Sequence, residues 1–185
     1  MLEKLREVLI DNGLYRESAI KDLAHSCCDS QKMVIDFDYV KDEFCKKANE
    51  PPKSADALLL EDSKVIFIEM KDLSHLAKEL KEIENREDVQ KRLLDLFAHE
   101  FRADRKLIDS FGLLLDIAAT YEMDKDFYPF FISDACEKQF LFVLKIGARD
   151  FVRLGFAIQA IKYRFNYWVF GDVQFIRASQ FDEFI

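Results

Sequence analysis

The chain has 185 residues and a net charge of -8; half of it is apolar, and 18 Phe stand against 5 Gly and 3 Pro. Folding at this length removes roughly 70% of the unfolded surface from water, so one core-bearing domain is expected, and disordered, collagen-like and solenoid chains are excluded. The acidic balance argues against broad, sequence-blind attachment to nucleic acid, and the longest apolar runs, such as Phe140 to Leu144, are far too short to span a bilayer.

The start, Met1 to Glu7, mixes acids and bases where a secretory signal would be basic and then apolar. The chain reads as soluble and cytoplasmic, with no membrane partner. Cys27, Cys28, Cys45 and Cys136 have no paired metal spacing and read as reduced, buried thiols. A zinc site from His25, Cys27, Cys28 and Cys45 would lack both a repeated CxxC and an HxxxH.

Leu2, Leu5, Val8 and Leu9 keep helical spacing up to a stop at Asn12-Gly13, and a second short helix is predicted over Glu17 to Cys27. Met33 to Asp38 reads as a short strand that delivers Asp38 as N-cap of a helix over Tyr39 to Ala48, ended by Pro51-Pro52. Asp36 and Asp38 straddle Phe37 and could face a cation, but capping accounts for Asp38. Ala55 to Leu60 and Val65 to Met70 are apolar runs joined by Glu61 to Lys64, four residues of turn composition, which predicts an antiparallel hairpin.

From Val89 to Ala118 the apolar residues return to a helical rhythm, so Glu87 to Tyr121 is read as one long helix or two stacked ones. Phe130 to Ser133 and Gln139 to Ile146 read as strands. A helix follows over Ala148 to Phe165, then strands around Tyr167 to Phe170 and Val173 to Arg177. The order predicts an α/β (α+β) domain with a mixed central sheet flanked by helices. It divides into an N-terminal helical extension (1–37), a core (38–146) and a basic, aromatic C-terminal part (147–185).

Charge is unevenly spread. Lys138 to Arg177 holds seven bases against two acids. Lys145, Arg149, Arg153, Lys162 and Arg164 alternate with Phe151, Phe156, Tyr163, Phe165, Tyr167 and Trp168, a pattern suited to phosphate contacts beside stacking side chains. The plainer reading is an amphipathic helix with a solvated basic face.

The segment Lys53 to Lys71 carries the chemistry. Alternate residues of a strand share a face, so Glu69 and Lys71 project together while Met70 points the other way. A short turn would bring Asp56 level with them. Two carboxylates offer hard oxygen ligands to Mg²⁺ or Mn²⁺, and a nearby lysine orients a water or stabilises developing charge. The tripeptide (D/E)xK alone is uninformative, since Asp62-Ser-Lys64, Glu69-Met-Lys71, Glu79-Leu-Lys81 and Asp104-Arg-Lys106 all match. Only Glu69-Met-Lys71 ends a run of β-formers with an aspartate on the preceding strand.

Asp56, twelve residues, and then Glu69-x-Lys71 resembles the signature of the PD-(D/E)xK, restriction endonuclease-like nucleases, with Ala55 where the proline stands. The resemblance implies a helix, three strands, helix, strand core from about Tyr39 to Ile146. It implies Asp56 and Glu69 as metal ligands, Lys71 serving the hydrolytic water, and Glu43 on the preceding helix as a further catalytic carboxylate, with Asp42 its competitor. The implied activity is Mg²⁺-dependent (or Mn²⁺-dependent) endonucleolytic hydrolysis of phosphodiester bonds, in DNA before RNA, by a homodimer or within a larger complex. The alternative is a non-catalytic interaction or immunity-like subunit on the same fold, for which the acidic balance and 14% aromatic content are natural.

Overall fold

The computed structural model describes every residue except 47–49, 80–81, 84, 124 and 166–171. Among the described residues the frame is a six-stranded sheet whose strands lie side by side in chain order. They are β1 (Glu17–Ala19), β2 (Met33–Asp36), β3 (Ala57–Glu61), β4 (Lys64–Asp72), β5 (Glu137–Lys145) and β6 (Asp172–Arg177). The first four pair antiparallel, whereas β4 with β5 and β5 with β6 are parallel. The fold is therefore mixed α/β, with a mixed sheet flanked by helices, as the sequence order predicts.

Helices α1 (Leu2–Asp11) and α2 (Phe37–Phe44) precede β1 and β3. Parallel neighbours need long crossovers. The first holds α3 (Leu76–Glu79), α4 (Arg86–Asp95), α5 (Ala103–Thr120) and α6 (Phe127–Ile132). The second holds α7 (Ala148–Arg153) and α8 (Gly155–Phe165), and α9 (Phe181–Phe184) closes the chain. Among the described residues no helix is long and apolar enough to cross a membrane.

Alternation along the strands sorts the core into two layers. Val65 and Phe67 of β4, Phe140, Phe142 and Leu144 of β5 and Phe175 of β6 meet Leu5, Phe37, Phe97, Leu107 and Leu114 from the helices. On the reverse, Ile66, Ile68, Met70, Leu141 and Val143 are covered by Ile20, Leu23, Cys28 and Phe181. The phenylalanines fill the helical side as a contiguous array: Phe142 stacks on Phe175 at 4.8 Å between centroids, and Phe97 meets Phe142 edge-on at 5.4 Å. Such pairs add to the burial of the rings.

Several local expectations are corrected. Glu17–Ala19 is a strand paired with Met33–Ile35, not a helix, and Ile20–Asp22 is a single tight 3-10 turn. The spacing of Ile20 and Leu23 suits that turn as well as a helix. Residues 1–37 thus supply two strands of the sheet and are not a helical extension. The N-cap of α2 is Asp36, whose carboxylate accepts from the Tyr39 amide at 2.9 Å and from Arg16, so the helix starts before Asp38.

Phe130 to Ser133 is not a strand but the end of α6 and its cap. Pro129 sits in the first turn of that helix, where a proline is tolerated, and Phe131 stacks both on Phe127, one turn before it, and on Phe111. The long helical stretch is two helices joined by a wide π-type turn (Leu96–Glu100) and by Arg102 in the left-handed region at φ 49°. The strand expected around Tyr167 to Phe170 lies outside the described residues.

Candidate active site at the end of the hairpin

Asp62 and Ser63 turn β3 into β4, Asp62 with a positive φ of 32°, which aspartate tolerates better than most side chains. The register pairs Ala57 with Ile68, so Asp56 comes level with Glu69. The Asp56 amide donates to the Ile68 carbonyl at 2.9 Å, and the Met70 amide donates to Asp56 Oδ2 at 2.6 Å. The aspartate side chain thus takes over the ladder where backbone pairing ends, which fixes its rotamer.

Glu69 continues the helix-facing series Val65, Phe67, Glu69, Lys71 and is completely buried; Asp56 is 4% exposed. An unpaired buried carboxylate is costly, and two lysines offset that cost. Lys71 forms an ion pair with Glu69 Oε1 and lies 5.2 Å from the Phe101 ring centroid. Lys106, from the first turns of α5, donates to Glu69 Oε1 at 2.6 Å and Oε2 at 2.8 Å and reaches 3.6 Å from Asp56 Oδ1. Burial first, and then the charge of Asp56, push the Glu69 carboxyl up to about 7, against the pull of Lys71 and Lys106. Burial draws the Lys71 ammonium down, but Glu69 and Asp56 outweigh it and hold it above its ordinary value.

The same face of α5 anchors the strand that bears Asp56. Buried Ser110 Oγ accepts from the Ala55 amide at 2.8 Å, and Asp109 accepts from the Lys53 amide at 2.9 Å. Lys106, Asp109 and Ser110 fall at helical spacings i, i+3 and i+4, so one helix face clamps residues 53 to 56 and covers the carboxylates. Sequence reasoning missed Lys106. It belongs to Asp104-Arg-Lys106, a tripeptide match in a helical stretch, and lies far along the chain from Glu69; no local spacing marks it.

Asp56, Glu69 and Lys71 are therefore brought together as expected, and Glu43 is not. It sits half-buried on α2 in an ion pair with Lys46, while Asp42 faces Lys41 at 3.4 Å. Among the described residues no three His, Cys, Asp or Glu side chains are grouped to hold a metal ion. His25, Cys27, Cys28 and Cys45 are not grouped: Cys27 Sγ donates to the Val143 carbonyl, Cys28 Sγ to that of Ala178, and Cys45 ends α2.

The basic residues of the C-terminal third are placed individually. Lys138 is buried and donates to the Phe131 and Ser133 carbonyls at 3.0 and 2.7 Å. Lys145 faces Asp72 at 3.4 Å, Lys162 reaches Gln174 at 3.1 Å and Asp172 at 3.3 Å, and Arg177 bonds Gln180. Arg149 and Tyr163 are exposed. The side chains of Arg153, Phe156, Arg164 and Phe165, and the residues Tyr167 and Trp168, lie outside what is described. A cleft of about 520 Å³ lined by Met1, Glu3, Arg6 and Glu61 lies at the turn end of the hairpin, away from the carboxylates.

Two carboxylates that share one cation form a donor set of the kind a small divalent ion uses, with water completing its shell. The Lys106 ammonium shows that a single positive centre reaches both at once. Comparison of the chain with protein-family models, with curated proteins and with solved structures gives no match.

Proposed function

We propose that this protein is a metal-dependent nuclease-like hydrolase of phosphodiester bonds, with DNA the favoured substrate and Mg²⁺ or Mn²⁺ the cofactor. The observation that carries the reading is the convergence of Asp56, Glu69 and Lys71 at one end of an otherwise apolar hairpin, with Glu69 fully buried beneath α5. A sheet gains nothing in stability from burying a carboxylate there, because an apolar pair of similar volume would serve at least as well.

Asp56 and Glu69 would hold the ion. When bound, it would lower the pKa of a water and neutralise charge growing on phosphorus. Lys71 stays an ammonium in this setting, so it donates rather than abstracts: its Nζ–H groups hold the attacking oxygen or the phosphate and offset transition-state charge. Asp56 is kept in one orientation by the Met70 amide, and Ser110 fixes the residue before it. Cleavage assays with labelled DNA and RNA in Mg²⁺, Mn²⁺ or chelator test the reading. Cutting should stop with chelator, and Lys71→Ala should lower the rate by about 100-fold or more. Chelator-insensitive cutting or a fully active Lys71→Ala overturns it.

One observation favours a second reading, a non-catalytic interaction subunit on this frame: the two carboxylates already have two ammonium partners. That reading expects indifference to divalent ions.

A further inference from the structure

Lys106 occupies the position that a metal shared by Asp56 and Glu69 requires. Lys71 pairs with Glu69 at Oε1, whereas Lys106 Nζ contacts both Glu69 oxygens and lies 3.6 Å from Asp56 Oδ1. A cation bound by both carboxylates therefore competes first with Lys106, the ammonium that lies between them. The charges agree: with both acids ionised, two carboxylates and two ammoniums cancel, so adding a divalent ion to the intact quartet would leave a double positive charge around a fully buried glutamate. Releasing one ammonium halves that excess.

Exposure gives the direction of release. The Lys71 and Lys106 side chains are 18% and 17% exposed, against 0% and 4% for the acids, so an ion arriving from water meets the lysines first. Lys106 stands in the first turns of a helix that begins at left-handed Arg102. Its side chain can swing to solvent about a long aliphatic stem, with no change in the β3–β4 ladder that holds Lys71.

We propose that Lys106 is a displaceable internal cation: it neutralises the carboxylate pair in the metal-free protein and is expelled when a divalent ion binds, so that it sets the metal affinity of the site. This rests on the metal-dependent reading above and adds the control of that site.

The test is Mn²⁺ binding to the full chain, followed by calorimetry and by the Mn²⁺ electron-spin signal, for the unaltered protein, Lys106→Met, Lys106→Gln and Glu69→Gln. Both Lys106 variants should bind Mn²⁺ about tenfold tighter or more, which corresponds to removing one ion-pair competitor, and Glu69→Gln should lose binding. In the unaltered protein, amine-reactive labelling read by mass spectrometry should find Lys106 protected without metal and labelled with Mg²⁺, a measurement that needs no variant to fold. Metal binding with Lys106 still protected, or equal affinity in the folded Lys106 variants, overturns this inference and leaves the metal site standing. Absence of Mn²⁺ binding in every form overturns both.

Discussion

At the open end of the β3–β4 hairpin, Lys71 and Lys106 turn inward onto carboxylates that water does not reach; along the C-terminal third, Lys145 and Lys162 lie against Asp72 and Asp172, which are 46% and 39% exposed. The residue types are the same and the energetics differ. An exposed pair exchanges solvation for a weak, screened attraction, while an inward pair is held by the cost of leaving either member alone. Surplus positive charge counted along the sequence thus overstates what the C-terminal third offers a ligand: Lys138, Lys145, Lys162 and Arg177 are each occupied within the fold. The smaller group at the hairpin end is where charge is concentrated by burial.

Paired substitutions sharpen that contrast. Lys106→Ala should cost about 3–5 kcal/mol in metal-free buffer, because Asp56 and Glu69 are left with one partner, whereas Lys162→Ala should cost about 0–1 kcal/mol; urea denaturation of the two variants reads both, and equal losses would erase the distinction. Ser110→Ala strands the buried Ala55 amide and should cost about 1–3 kcal/mol. If Ser110 positions Asp56, Mn²⁺ affinity should fall with it, a readout that loss of stability in the folded fraction does not produce.

Arg102→Gly relieves the left-handed backbone at an exposed position and should raise stability by about 1 kcal/mol; an unchanged or lower midpoint would show that the Arg102 side chain contributes something else. The smallest effect is in alkali. Burial holds the Cys27 and Cys136 thiols up at about 11, against 9.0 for a free thiol. Unfolded chains release those protons first, so this contribution is whole below pH 9.0 and declines as pH rises through 11. A pH series of denaturation midpoints should show the decline, and Cys136→Ala should flatten part of it.

The hairpin and its three polar residues were legible because each depends on neighbours in sequence: period-2 alternation, turn residues at Glu61 to Lys64, and a register that follows from the turn. What lay hidden depends on distant partners. Glu17–Ala19 is a strand because Met33–Ile35 lies beside it, and Lys106 belongs to the site because α5 brings it onto Glu69 and Asp56. The expectation for Glu43 failed with the course of α2, which carries that residue to Lys46 and not to the carboxylate pair.

The two-residue turn between β3 and β4 has a kinetic corollary. A connection so short closes in microseconds, whereas β5 joins β4 only after residues 73 to 136 have been gathered in. The acidic end of the nascent hairpin is therefore wet, with Lys71 alone beside its two carboxylates, until α5 brings Lys106; drying the carboxylates is a late event. Replacement of Lys106 should accordingly accelerate unfolding far more than it retards refolding, and a chevron plot in which the refolding limb bears the larger change would refute that order.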